Sequence, residues 1–213
     1  MHQNLQSQYL VFNILDLLED ENIGENIVNS ILSKFSCINK EIEIFLKNKA
    51  IKFANESIAA TFLVFEETED TMLLLGYFTL ANKHFEVDTT LLSRKLKDKI
   101  KHKFQHMDTT NKYSIPAPLI AQLGKNYTDN LNKRILGDDL IGLALEKVCE
   151  AQKILPGKIS FIECEEIDNL IEFYKRHGFV EFSRRSIDED EKTMTSSSCY
   201  LQMLRYRNNK SLF

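Results

Sequence analysis

Phe173-Tyr174-Lys175-Arg176-His177-Gly178-Phe179 decides the fold of this chain. The apolar spacing from Ile167 to His177 predicts an amphipathic helix. Gly178 then stops it, because glycine can take the left-handed conformation that closes a helix C-terminus. Phe179 to Phe182 restarts at once as a strand. Lys158 to Cys164 precedes the helix and reads as another strand, so the unit is strand, helix, strand. Upstream lies Arg134-Ile135-Leu136-Gly137-Asp138-Asp139, where a basic residue and a glycine open a second helix. That helix runs from Gly137 to Ile154, with Leu140, Ile141, Ala144, Leu145 and Val148 on one face, and Pro156-Gly157 ends it.

The remaining chain reads as follows. Tyr9 to Leu15 is a first strand or apolar lead-in. Asp20 to Phe35 and Glu41 to Asn55 keep helical spacing. Ser57 to Phe65 and Met72 to Leu80 form a hairpin across the polar turn Glu66 to Asp70. Asp88 to Phe104 reads as a basic helix. Tyr113 to Leu123 is a strand whose Pro116 and Pro118 imply an edge, a bulge or a strand start. Ser186 to Ser198 is a polar, acidic loop, and Cys199 to Tyr206 the last strand. Helices, a hairpin, then alternating strands and helices predict an α/β (α+β mixed) fold. Its centre is a mixed, mostly antiparallel sheet flanked by helices.

The 213 residues suit one domain, 1–213, with a basic helical insertion at about 86–110. A net charge of −4 argues against a nucleic-acid or membrane partner on global charge alone. There is no apolar run of membrane-spanning length, and the first residues lack a signal peptide's basic and apolar regions. Cys37, Cys149, Cys164 and Cys199 form no CxxC pair, so reduced thiols in a cytoplasmic protein are expected. No metal ligand is assigned.

The Arg134–Asp139 and Tyr174–Phe179 stretches together resemble the two signature regions of the GNAT family, the Gcn5-related N-acetyltransferases. The resemblance implies the GNAT fold, acetyl-CoA as acetyl donor, and direct acetyl transfer to an amine in a ternary complex. Arg134, Gly137 and Asp139 fall on the family's Q/R-x-x-G-x-G/A pattern, which binds pyrophosphate. A helix N-terminus offers free N–H donors to an anion, and Gly137 lets the backbone approach closely. Lys133, Arg134, Ile135, Leu136, Gly137, Asp138 and Asp139 are therefore the expected phosphate turn. Asp139 departs from the family, which has a small residue there. The carboxylate repels phosphate unless it caps the helix or points to solvent. Gln122 and Leu123 would lie along the pantetheine arm.

The resemblance assigns Tyr174 the role of proton donor to the departing thiolate. Glu163, Glu165 and Glu66 are carboxylates that could take the amine's proton, with Glu163 the chosen one. Cys164 has no paired histidine and reads as packing rather than a nucleophile. Ile167 stands where the family often has a cofactor-touching asparagine, and Asn169 is a loose substitute.

Arg94, Lys95, Lys97, Lys99, Lys101 and Lys103 cluster on one helix, with Leu91, Leu92, Leu96 and Ile100 as its apolar stripe. They read either as a solvated face or as a patch for an acidic partner such as tRNA. Three kinds of acceptor stay open: a small molecule, a protein amine, or the amine of aminoacyl-tRNA as in the family's toxins. A non-catalytic module that binds CoA or a partner is the other class of reading. Phe85 and Phe104, taken as exposed, mark a homodimer surface.

Overall fold

The computed structural model describes residues 8–187 and 197–207. Most of the expected Ser186–Ser198 loop therefore lies outside the described residues. The chain forms two compact units: residues 1–81 with 120–151, and residues 82–119 with 152–213.

The first unit begins with β1 (Leu10–Asn13), α1 (Ile14–Glu19), α2 (Gly24–Ser33), α3 (Lys40–Asn48) and α4 (Ala50–Asn55). α1 interrupts the expected apolar lead-in because Asn13 caps it, its side chain accepting from the Leu15 N–H at 3.1 Å. The expected helix over 41–55 breaks into α3 and α4 at Lys49, whose backbone leaves helical geometry. β2 (Ala60–Glu67) and β3 (Met72–Val87) form the expected hairpin, Ala60 opposite Leu80 and Glu67 opposite Met72. β1 pairs antiparallel with β2. Ile14, Val28, Leu32, Phe35, Leu46, Leu63 and Tyr77 form the core here, all nearly inaccessible to solvent. α6 (Gly137–Ile154) has the predicted bounds, and Leu140, Ile141, Ala144 and Val148 are buried as its apolar face requires.

In the second unit the end of β3 leads to a short 3-10 turn (Thr89–Leu91), α5 (Arg94–Lys101) and β4 (Gln105–Met107). The basic helix is thus shorter than 88–104. β5 (Lys112–Lys125) follows, then β6 (Ile159–Glu165), α7 (Asp168–Arg176), β7 (Phe179–Ser186) and β8 (Cys199–Tyr206). β8 pairs antiparallel with both β6 and β7, and β4 with β5. Phe85 is only 4% exposed, its ring packed 4.6 Å from Phe161 and 4.7 Å from Phe182. This corrects its reading as an exposed interface residue. The continuation of β3 past Leu80 turns Phe85 inward, where an apolar ring gains most from burial.

The strand order is β1-β2-β3-β5-β6-β8-β7, with β4 beside β5. The result is the expected mixed α/β fold with a mostly antiparallel sheet. β5 is interior in this order, so Pro116 and Pro118 do not mark an edge. Among the described residues no helix is long and apolar enough to cross a membrane.

Glu43 on α3 gives a pH prediction. Its carboxylate accepts from the Cys37 N–H at 3.0 Å, from Lys40 at 2.9 Å and from Lys47 at 3.1 Å. The Cys37 N–H foremost, then Lys40, lower its pKa from the usual 4.5 to about 2. A carboxyl more acidic in the folded state stabilises above its unfolded pKa and loses that contribution as pH falls towards the folded one. Melting temperature should therefore drop between pH 4.5 and about 2. Glu43→Gln should flatten that limb in a melting-temperature series. An unchanged limb would assign it to other groups.

Candidate functional site

In the first unit, the last residues of β5 before Lys125 include Gln122 and Leu123, both half-buried. Gly124 follows, and a Cβ on Gly76 of β3 would lie 2.7 Å from its carbonyl oxygen. Only glycine at position 76 allows β3 that close to β5. The chain then enters a 3-10 turn (Thr128–Lys133) in which Asp129 and Asn130 both have positive φ, 49° and 60°. Asp and Asn tolerate this better than other side-chain-bearing residues.

Two residues that the sequence reading did not single out hold this turn. The Lys125 ammonium donates to the Asn132 carbonyl at 2.9 Å and to that of Ile135 at 3.3 Å. Asn126, 3% exposed, donates from Nδ2 to the Leu74 carbonyl at 2.9 Å. Its Oδ1 accepts from the Ser36 and Thr128 N–H groups, each at 3.1 Å.

Beyond the turn, Lys133 and Arg134 are exposed, Ile135 is buried and Leu136 is 61% exposed. Gly137 opens α6, with Asp138 exposed and Asp139 half-buried. The Arg134 Nε donates to Glu66 on β2, so Glu66, one of the carboxylates proposed as base, is engaged at this turn. The Asp139 carboxylate accepts from the Leu136 N–H at 3.1 Å, the reach-back contact of a capping box. It also accepts from the Tyr9 hydroxyl at 3.3 Å. The same hydroxyl donates to the Arg134 carbonyl, also at 3.3 Å. Burial, then the charge of Asp139, push the Tyr9 phenol up to about 12. Around the turn stand three cations, Lys125, Lys133 and Arg134, and four carboxylates, Glu66, Asp129, Asp138 and Asp139.

In the second unit α7 carries Asn169, exposed, and Tyr174, 7% exposed. The Tyr174 ring lies edge-on to Phe173 and Phe179 at 5.1 and 5.7 Å. Burial, then the neighbouring Cys164, hold its phenol well above its usual pKa. Among the described residues its hydroxyl has no hydrogen-bond partner. Gly178 closes the helix at φ +81°, as expected, and the Gly178 N–H donates to the Lys175 carbonyl at 3.0 Å. Glu163 on β6 accepts from Arg185 at 2.9 Å and from Gln202 at 2.7 Å. Cys164 is 5% exposed, and burial pushes its thiol up to about 12. A thiol so held is not a thiolate nucleophile at neutral pH, in keeping with packing.

No family model matches the sequence. No curated protein matches it either. Solved structures do match its fold. A tyrosine-to-phenylalanine mutant of KacT superposes with TM-score 0.60 at 20% identity, over 92% of this chain and 95% of that one. AtaT complexed with acetyl-methionyl-tRNAfMet gives 0.59 at 18% identity, over 91% and 93%. AtaTR bound with acetyl-CoA gives 0.52 at 15% identity, over 92% of each chain. At these identities the likeness defines the fold. The chain has the GNAT fold that its two motifs resemble.

Proposed function

We propose that this protein is an N-acetyltransferase that moves the acetyl group of acetyl-CoA directly to an amine in a ternary complex. The observation that carries the reading is Tyr174, a buried phenol whose hydroxyl has no partner among the described residues, in the Tyr-x-x-x-Gly-Phe stretch of a GNAT fold. A fold hosts many functions, so the residues must bear the argument. Lys133, Arg134 and the first N–H groups of α6 would hold the donor's phosphates, and the end of β5 at Gln122 and Leu123 its pantetheine arm. The acceptor's nitrogen lone pair attacks the thioester carbonyl, the C–S bond breaks, and sulfur leaves as thiolate. The Tyr174 hydroxyl hydrogen-bonds that sulfur and passes it a proton, and the phenolate regains one from water as CoA leaves. The raised pKa keeps the hydrogen on the phenol until charge develops. The attacking nitrogen loses a proton to water or to a carboxylate. Glu163, which accepts one bond on each oxygen from Gln202 and Arg185, keeps lone pairs with which it could take that proton. The high pKa of the Cys164 thiol favours direct transfer over an acetyl-cysteine. The reduced cysteines suit a cytoplasmic setting.

Aminoacyl-tRNA is the acceptor class that a specific observation favours. AtaT, similar in fold, is known complexed with acetyl-methionyl-tRNAfMet, and α5 here concentrates Arg94, Lys95, Lys97, Lys99 and Lys101. Lys99 sits 3.8 Å over the Tyr206 ring and Lys103 donates to its hydroxyl at 3.2 Å, which anchors the basic segment to β8. The test is CoA release from acetyl-CoA with a panel of small amines, lysine peptides and aminoacyl-tRNA. Release with aminoacyl-tRNA is expected, with tRNA binding that weakens about tenfold or more between 50 and 200 mM salt. Replacing Lys95, Lys97 and Lys101 with Gln should lower that salt slope. Release with small amines alone would leave α5 as a solvated face. Acetyl-CoA binding without release for any acceptor would favour a non-catalytic module.

A further inference from the structure

We propose that Tyr9 is a positioning residue that makes Asp139 compatible with a bound anion, by holding its carboxylate at the N-cap side of α6. The inference rests on the reading that acetyl-CoA phosphates bind at the start of that helix. Asp139 is the third residue of α6, inside the turn where an anion would meet free N–H groups. A loose carboxylate there would compete with phosphate for those donors and repel it. Two donors fix it instead, the Leu136 N–H at 3.1 Å and the Tyr9 hydroxyl at 3.3 Å. Tyr9 is 3% exposed and comes from the residue before β1, remote in sequence from the helix that it steadies. Its single hydroxyl hydrogen is shared with the Arg134 carbonyl, so the phenol also braces the backbone of the basic residue at the turn. The charged acceptor takes the stronger share of such a bond. Its high pKa keeps the phenol a donor throughout the ordinary pH range. Asp139, where the resembled family has a small residue, and Tyr9 are therefore one device.

The test is calorimetric titration of acetyl-CoA into wild type, Tyr9→Phe, Asp139→Asn and the double variant, with melting temperatures measured in parallel. Asp139→Asn keeps an acceptor oxygen and removes the charge. Tyr9→Phe should raise Kd about tenfold, because it frees a carboxylate beside the phosphates. Asp139→Asn should bind as tightly as wild type or tighter, and in that background Tyr9→Phe should change Kd less than about twofold. An unchanged Kd in Tyr9→Phe overturns the proposal, as does an equal loss in both backgrounds. If Asp139→Asn binds and wild type does not, the acetyl-CoA reading survives and the proposal falls. If neither binds, the acetyl-CoA reading itself is lost and the proposal with it. Should Tyr9→Phe fail to fold, Asp139→Glu replaces it. Its longer side chain carries the carboxylate past the hydroxyl, so Kd should again rise about tenfold, and an unchanged value overturns the proposal.

Discussion

Tyr174→Phe should lower kcat for acetyl transfer by about a hundredfold or more, the scale of a lost general acid. KM for acetyl-CoA should move less than about threefold, because the hydroxyl acts on charge that appears only as the C–S bond breaks. Stability separates this role from packing. Among the described residues the hydroxyl bonds to nothing, so its removal abandons no partner, and the ring keeps its contacts with Phe173 and Phe179. Melting temperature should therefore hold or rise. A variant with wild-type kcat would make Tyr174 a packing residue and turn attention to other donors. Cys164→Ala is the matched control, since a buried thiol with a pKa near 12 should not be the nucleophile. It should remain active, at some cost in stability from the cavity.

What the sequence discloses follows how local each cause is. α6 and β8 match their predicted bounds because strong period and punctuation coincide there, Gly137 and Pro156-Gly157 bracketing the helix. Gly178 has the left-handed φ that a glycine after a helix leads one to expect. α1 was hidden because Tyr9 to Leu15 reads as a strand or apolar lead-in, and Asn13 acts as a cap only through its bond to Leu15. The strand expected to end at Leu80 runs on to Val87 and buries Phe85. The candidate site divides the same way. Arg134, Gly137 and Tyr174 carry a signal through spacing. Tyr9, Lys125 and Asn126 carry none, because their partners are set by tertiary packing, Tyr9 meeting residues 125 and 130 positions away. Glu66 invited a role as base as a carboxylate at the end of the hairpin strand, and the fold pairs it with Arg134.

Asn126→Ala should destabilise the protein by about 3 to 4 kcal/mol, the largest stability effect expected of any single change discussed. The side chain is 3% exposed and makes three hydrogen bonds within one unit, to Leu74, Ser36 and Thr128. Alanine leaves one carbonyl and two N–H groups without it, where water has little access to replace it. Each orphaned group costs about 1–3 kcal/mol, partly offset as the loop relaxes. For a chain of this size the loss corresponds to a fall in melting temperature of roughly 10 °C. Asn126→Asp discriminates further. Its carboxylate can still accept from Ser36 and Thr128 but faces the Leu74 carbonyl with no donor, so it should be no better than alanine at neutral pH. Improvement as the carboxyl protonates in mild acid would identify the Leu74 bond as the larger part. The 3-10 turn after Asn126 leads straight into Lys133 and Arg134. Kd for acetyl-CoA should therefore rise in Asn126→Ala even well below its melting temperature. A stability loss below about 1 kcal/mol in urea titration would show that the turn reorganises around the missing amide. The turn before α6 would then owe its shape to its other bonds, those of Lys125, Tyr9, Thr128 and Arg134.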